Sequence, residues 1–254
     1  MENGVLGKKI FFLYPPPVLS EVADELAKQE YEVYFSRDHE KLKRAIASFP
    51  DAIVFVNLDD GLDEAGWLSF VQSLREEAPA VGVGIITLND DPELREHYLM
   101  NAEAHCGFVI LKIGAAKTAE ILAKTLEANE ARGRRKFVRA LCPPGSGQCV
   151  ADYEGATLRA ELTDLSSAGM AIRFEGGASL KVGSVLRDMS LTIKGQRVPA
   201  SGVVVAKRAG EDGSESVHVV MFDPNSLDES RKTKLKTLVS RLNQAAMEAF
   251  LERA

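Results

Sequence analysis

The chain predicts two dissimilar halves, an α/β domain followed by a small all-β domain with a terminal helix. Residues 8–126 alternate short apolar runs with amphipathic stretches, the pattern of a parallel sheet flanked by helices. After Arg139 the pattern changes to six short strand-like runs punctuated by Gly and Pro, a spacing that reads as a small barrel. Charge divides at the same place. Residues 1–130 hold 12 Lys and Arg against 23 Asp and Glu, and residues 131–254 hold 19 against 14, so an anion is drawn to the second half.

Taken in order, Ile10–Tyr14 is a buried-strand run ended by Pro15-Pro16-Pro17, and Val18, Leu19, Val22 and Leu26 give the helical face that follows. Tyr31–Phe35 reads as a strand, His39–Ser48 as a helix with Leu42 and Ile46 inward, and Ala52–Val56 as a strand. Leu68–Glu77 continues as helix and Val81–Leu88 as strand. Pro92–Ala102 is a helix opened by Asp91-Pro92 in the N-cap and N1 positions. Gly107–Leu111 and Ala115–Glu130 complete five βα units, enough for a doubly wound sheet in the flavodoxin-like order. Trp67 reads as a core or interface anchor, and His39, His97 and His105, which follow no ligand spacing, as surface or capping residues.

This half resembles a response-regulator receiver domain in size, element order and the Lys112 that closes the fifth strand. The resemblance implies an acidic pair after the first strand for Mg²⁺ and a phosphate-accepting aspartate at the end of the third. Here those places carry Tyr14-Pro15-Pro16 and Val56-Asn57, and neutral groups cannot hold a hard divalent cation. Thr87 and Lys112 match the receiver's switch hydroxyl and lysine, but without acids they are expected to have nothing to report. Asp59 and Asp60 lie two or three residues late and read as loop carboxylates. The expectation is a non-phosphorylatable pseudo-receiver used for contact or dimerisation.

Composition sets further bounds. The first nine residues lack a signal peptide's apolar core, and no apolar run approaches the roughly 20 residues that span a bilayer, which predicts a cytoplasmic chain without membrane insertion. Cys106, Cys142 and Cys149 are odd in number and form no Cys-x-x-Cys, so they read as small buried hydrophobes rather than as a disulfide framework or zinc site.

In the second half, Gln148–Tyr153, Thr157–Leu162, Met170–Phe174, Val185–Ile193, Val198–Lys207 and Ser216–Phe222 are the expected strands. Gly195 and Asp212-Gly213 mark hairpin turns. The terminal helix is capped near Asp228, with Leu235, Leu238, Val239, Leu242, Ala246 and Phe250 as its apolar stripe. The expected organisation is residues 1–130, an Arg-rich linker at 131–140, and residues 141–254 as barrel and helix.

That linker packs four cations around two apolar residues in Arg134-Arg135-Lys136-Phe137-Val138-Arg139. Arg135 and Arg139, four apart, lie on one side of an extended segment or on one face of a helical turn. The arginine fork pairs two-pronged with phosphate or with the O6/N7 edge of guanine, which lysine cannot do. A solvated charged linker is the bland alternative. About 25 residues on, Asp164-Leu165-Ser166-Ser167-Ala168-Gly169 reads by itself as a turn between strands, with Gly169 allowing a positive φ or close backbone approach to a ligand.

Together the two stretches resemble the paired motifs of a PilZ domain, Arg-x-x-x-Arg followed by Asp-x-Ser-x-x-Gly. The resemblance covers roughly residues 132–224 plus the helix and implies binding of cyclic di-GMP by Arg134, Arg135, Arg139, Asp164, Ser166 and Gly169. Arg134, just before the first motif arginine, sits where the family sets whether one ligand or a stacked pair is held, and a basic residue there is compatible with the pair. The chemistry fits such a ligand: arginines for phosphate and guanine, Asp164 as acceptor for a guanine N–H edge, Ser166 for a further hydrogen bond.

No nucleophile–base pair, paired carboxylates or metal cluster can be assembled, so a receptor without catalytic residues, metal or cofactor is expected, signalling through protein contacts. Ligand capture would fold the linker and re-orient the first half. The alternatives are a PilZ-like scaffold that no longer binds nucleotide, or a single-stranded nucleic-acid-binding barrel. The latter is disfavoured by the small basic excess and poor aromatic interleaving, so DNA and RNA are not expected as partners. The terminal helix and the first half each offer a homodimer face, and the downstream partner is not specified by the residues.

Overall fold

The computed structural model describes residues 7–102, 104–209 and 216–254, which fall into two units, residues 1–136 with 244–254 and residues 137–243. The Asp212-Gly213 turn lies outside the described residues.

In the first unit, β1 (Lys9–Leu13), β2 (Glu32–Ser36), β3 (Ile53–Asn57), β4 (Gly82–Thr87) and β5 (Phe108–Ile110) form an all-parallel sheet in the order β2-β1-β3-β4-β5. This is the flavodoxin-like, receiver-like order that the alternation predicts. The central strands β1, β3 and β4 read as unbroken apolar runs because helices cover both faces. One core layer gathers Phe11, Tyr34, Val54, Trp67 and Tyr98, and the other gathers Ile10, Phe12, Phe55, Leu122 and Leu126. The helices are α1 (Val18–Lys28), α2 (His39–Ala45), α3 (Glu64–Glu77), α4 (Pro92–Glu96) and α5 (Ala115–Ala128). Helix α3 starts earlier than hydrophobicity alone suggests because Asp63 caps it, its carboxylate accepting from Gly66 N at 2.8 Å. Asp91 caps α4 as expected, but a π-turn at His97–Asn101 replaces the rest of the anticipated helix.

The second unit closes on itself. Strands β7 (Gly147–Tyr153), β8 (Ala156–Ser166), β9 (Gly169–Phe174), β10 (Val185–Ile193), β11 (Gln196–Ala209) and β12 (Ser216–Phe222) pair antiparallel in the ring β8-β7-β10-β11-β12-β9, and β9 returns to β8. Six strands and no open edge follow. A short strand, β6 (Arg139–Leu141), pairs with the last residues of β8, Asp164–Ser166, beyond those that β7 pairs. Lys194 and Gly195 both take positive φ, 45° and 77°, which joins β10 to β11 by the two-residue turn whose twist suits a hairpin. The barrel is filled by Leu162, Leu165, Phe174, Leu186, Leu191, Val204 and Val220.

Helix α6 (Glu229–Leu251) begins at the Asp228 cap, whose carboxylate accepts from Arg231 N at 2.8 Å. Leu235, Leu238, Val239 and Leu242 join the barrel core. The last turns belong to the first unit, and there Met247 and Leu251 are buried, whereas Ala246 and Phe250 of the expected stripe are exposed. The stripe changes face because a different core receives it. Gln244 anchors this tail to the edge strand β2, its carboxamide both accepting from Phe35 N at 2.9 Å and donating to Phe35 O at 3.0 Å. A side chain thus supplies the two bonds a neighbouring strand would make.

Candidate functional site

The motif residues are positioned by register. In the β6–β8 pair Arg139 stands opposite Ser166, Ala140 opposite Leu165 and Leu141 opposite Asp164. Ala140 and Leu165 are wholly buried in the barrel core, so by strand alternation Arg139, Leu141, Asp164 and Ser166 share the opposite, outward face. Val138 packs on the core just before β6, and Asn243 Nδ2 donates to Arg139 O at 3.1 Å, which pins the strand's first residue to α6. The Arg139 side chain is exposed, and among the described residues it has no hydrogen-bond or ion-pair partner. Nor does the half-buried Asp164 carboxylate accept a hydrogen bond from a described residue.

The second motif is not a loop between strands. Asp164, Leu165 and Ser166 complete β8, Gly169 begins β9, and only Ser167 and Ala168 turn. Ser166 is 5% exposed and its hydroxyl is spent on that turn, donating to Gly169 O at 3.0 Å and accepting from Ala168 N at 3.3 Å and Gly169 N at 3.2 Å. A bulge between Leu162 and Asp164 resets the register just before the motif. Gly169 does not take a positive φ. It is required by packing, because a Cβ there would stand 2.5 Å from Val220 O on β12. Gly202, on the other side of β12, meets Met221 O at the same 2.5 Å. The close backbone approach expected of Gly169 is therefore to a neighbouring strand.

The structure brings Arg139, Asp164, Ser166 and Gly169 together on one outer face of the barrel unit. Arg134 and Arg135 fall in the first unit, the division coming between Lys136 and Phe137, inside the Arg-x-x-x-Arg stretch. Both are exposed. The start of this segment is ordered on the first unit: Ala131 is buried, Lys8 N donates to its carbonyl at 2.9 Å, and Arg132 lies over the Tyr31 ring at 4.8 Å. Sequence reasoning missed Met221, which is 57% exposed and pairs with Gly169 on the same outer face. The alternation of Val217–Phe222 carried that signal. It also missed Asn243, whose contact with Arg139 no local pattern encodes.

Cys142, next to this face, has its thiol pushed up to about 11 by burial and by the Asp164 charge. Cys106 and Cys149 are likewise buried, with burial raising them to about 11 and about 12. No group of three or more His, Cys, Asp or Glu among the described residues could hold a metal ion, and no described helix is long and apolar enough to cross a membrane.

In the first unit the crevice at the carboxyl ends of β1 and β3 is filled by side chains. Tyr14, at φ 50°, sets its ring edge-on to Trp67 at 5.6 Å and against the Gly61 backbone, and its hydroxyl shares a 3.0 Å hydrogen bond with His39 Nδ1. His39 is accordingly part of a half-buried aromatic cluster with Trp67 and Phe70 rather than a surface residue. Asn57, 2% exposed, donates to Tyr14 O at 2.7 Å. Thr87 is not idle, as the missing acids suggest: its hydroxyl donates to Asp59 Oδ1 at 2.9 Å. The late position of Asp59 is within reach because the chain continues alongside β4 past the end of β3, Leu58 N donating to Ile86 O at 3.2 Å.

A family model described as the PilZ domain matches residues 133–241. Among solved structures the chain is similar to YcgR from Escherichia coli in complex with c-di-GMP, at 20% identity and TM-score 0.41, covering 48% of this chain and 52% of that one. It is similar to the K. pneumonia MrkH–c-di-GMP complex at 19% identity and TM-score 0.38, covering 46% and 57%. The isolated REC domain of RcsB from Salmonella enterica serovar Typhimurium matches at 17% identity and TM-score 0.39, covering 52% of this chain and 95% of that one. The chain thus spans a little over half the length of the YcgR and MrkH chains. No curated protein matches.

Proposed function

Residues 133–241 of this chain are a PilZ domain, and from that premise we propose that the protein is a non-enzymatic receptor for cyclic di-GMP. The observation that carries the reading is the β6–β8 register, which sets the exposed guanidinium of Arg139 and the half-buried carboxylate of Asp164 on one outward face. A guanine offers that face an acceptor edge for the arginine fork and N–H donors for the carboxylate, and the ligand's phosphates add anionic charge. Arg134 and Arg135 supply the remaining cations. Ser166 and Gly169 act by shape: the first fixes the β8–β9 turn, and the second lets β9 lie tight on β12, so that Asp164 is held at a fixed height. Capture of the ligand by exposed arginines orders the segment that carries them, and the receptor signals by the surface this creates.

Isothermal titration calorimetry of the full chain with cyclic di-GMP, using GTP and cyclic GMP as controls, tests the reading. Selective binding by the native chain and its loss in Arg135→Ala and Arg139→Ala, with circular dichroism unchanged, is the expected result. Native affinity in both variants would overturn the site.

A further inference from the structure

A purine has polar edges and two apolar faces, so a site that reads the edges by charge also needs apolar surface for the faces. Among the described residues of the second unit, the exposed large apolar side chains are Leu141, Val182, Val185, Val205 and Met221. The two largest of these both stand on the motif face. Leu141 is 79% exposed and lies directly across β6–β8 from Asp164, and Met221 is 57% exposed and lies directly across β12–β9 from Gly169. Their neighbours along the strands, Ala140, Val220 and Phe222, are buried in the barrel core, which turns Leu141 and Met221 outward. Between the two, the β8–β9 hairpin sets Asp164 across from Ala171, and Gly169 adds no side chain at all. The outcome is a low floor with a long apolar side chain on either flank.

We propose that Leu141 and Met221 are the apolar walls of the ligand site, packing on the faces of the guanine bases. The assignment rests on the cyclic di-GMP reading and adds to it contacts that the charged motif residues do not supply. Arg139 and Asp164 address phosphate and base edge, while the two walls take the base faces out of water. The unbranched thioether of Met221 is polarisable and can follow the contour of a ring, and the Leu141 side chain gives a stiffer aliphatic surface. Both side chains lie largely in water in the ligand-free fold, so shortening either one removes little from the core. Their contribution falls on binding rather than on folding. A pyrimidine offers a smaller face to cover, so the walls favour purine ligands, and the motif residues then read which purine it is.

Calorimetric titration of the full-length chain with cyclic di-GMP, paired with thermal unfolding without ligand, is the test. Leu141→Ala and Met221→Ala should each weaken binding roughly tenfold, with the ligand-free unfolding temperature unchanged. Leu141→Met and Met221→Leu, which keep the apolar surface, should recover most of that loss. Val182→Ala, which shortens an equally open apolar side chain away from the motif strands, should bind like the native chain. Native affinity in both alanine variants, or an equal loss in Val182→Ala, would overturn the proposal and leave the receptor reading standing. Absence of binding by the native chain would instead remove the receptor reading, and this assignment with it.

Discussion

Arg139 lies directly across the antiparallel β6–β8 pair from Ser166, so one residue from each sequence motif meets in a single cross-strand pair. The pairing gives the two motifs different tasks. Arg139 presents an exposed charge, while Ser166 is buried and holds the turn that sets the neighbouring strand.

Gly169→Ala should destabilise the barrel by about 1–3 kcal/mol, since its methyl group would meet the Val220 carbonyl at 2.5 Å and a backbone group in a closed barrel has little room to yield. Gly202→Ala, meeting Met221 O at 2.5 Å, should cost a similar amount. Urea denaturation followed by tryptophan-independent far-ultraviolet signal checks both, and native stability in either variant would contradict the packing role.

Ser166→Ala removes the hydroxyl that bridges three backbone groups of the β8–β9 turn and should cost about 1–2 kcal/mol. The loss is structural, so it should appear in thermal unfolding without any ligand. An alanine variant as stable as the native chain would contradict the turn-holding role.

His218 is wholly buried, and its Nε2 accepts from Leu180 N at 3.0 Å. Burial first, and then the nearby Lys207 charge, hold its imidazole below the ordinary value of 6.5. A proton on Nε2 would also set two donors against each other. Because the folded pKa is depressed, the unfolded chain takes up the proton first. Stability from this group is therefore complete above about pH 6.5 and is lost as pH falls from there through the folded pKa. Chemical denaturation between pH 8 and pH 5 should show this decline, and His218→Gln, which accepts without titrating, should flatten it.

Much of this was legible along the chain because it is local. The apolar runs of β1, β3 and β4, the caps at Asp91 and Asp228, the Gly195 turn and the two motifs are each set by residues within a few positions of one another. The doubly wound sheet, the six-stranded barrel and the two motifs can be read along the chain, since side-chain period and turn chemistry are short-range. The surroundings of those residues come instead from contacts between distant parts of the chain. Strand register placed Arg139 opposite Ser166, the approach of β12 gave Gly169 its reason, and two different cores divided the faces of α6. Asp59 reached Thr87 across 28 residues of chain. Such pairings depend on which strands become neighbours, and periodicity within a strand carries no information about that.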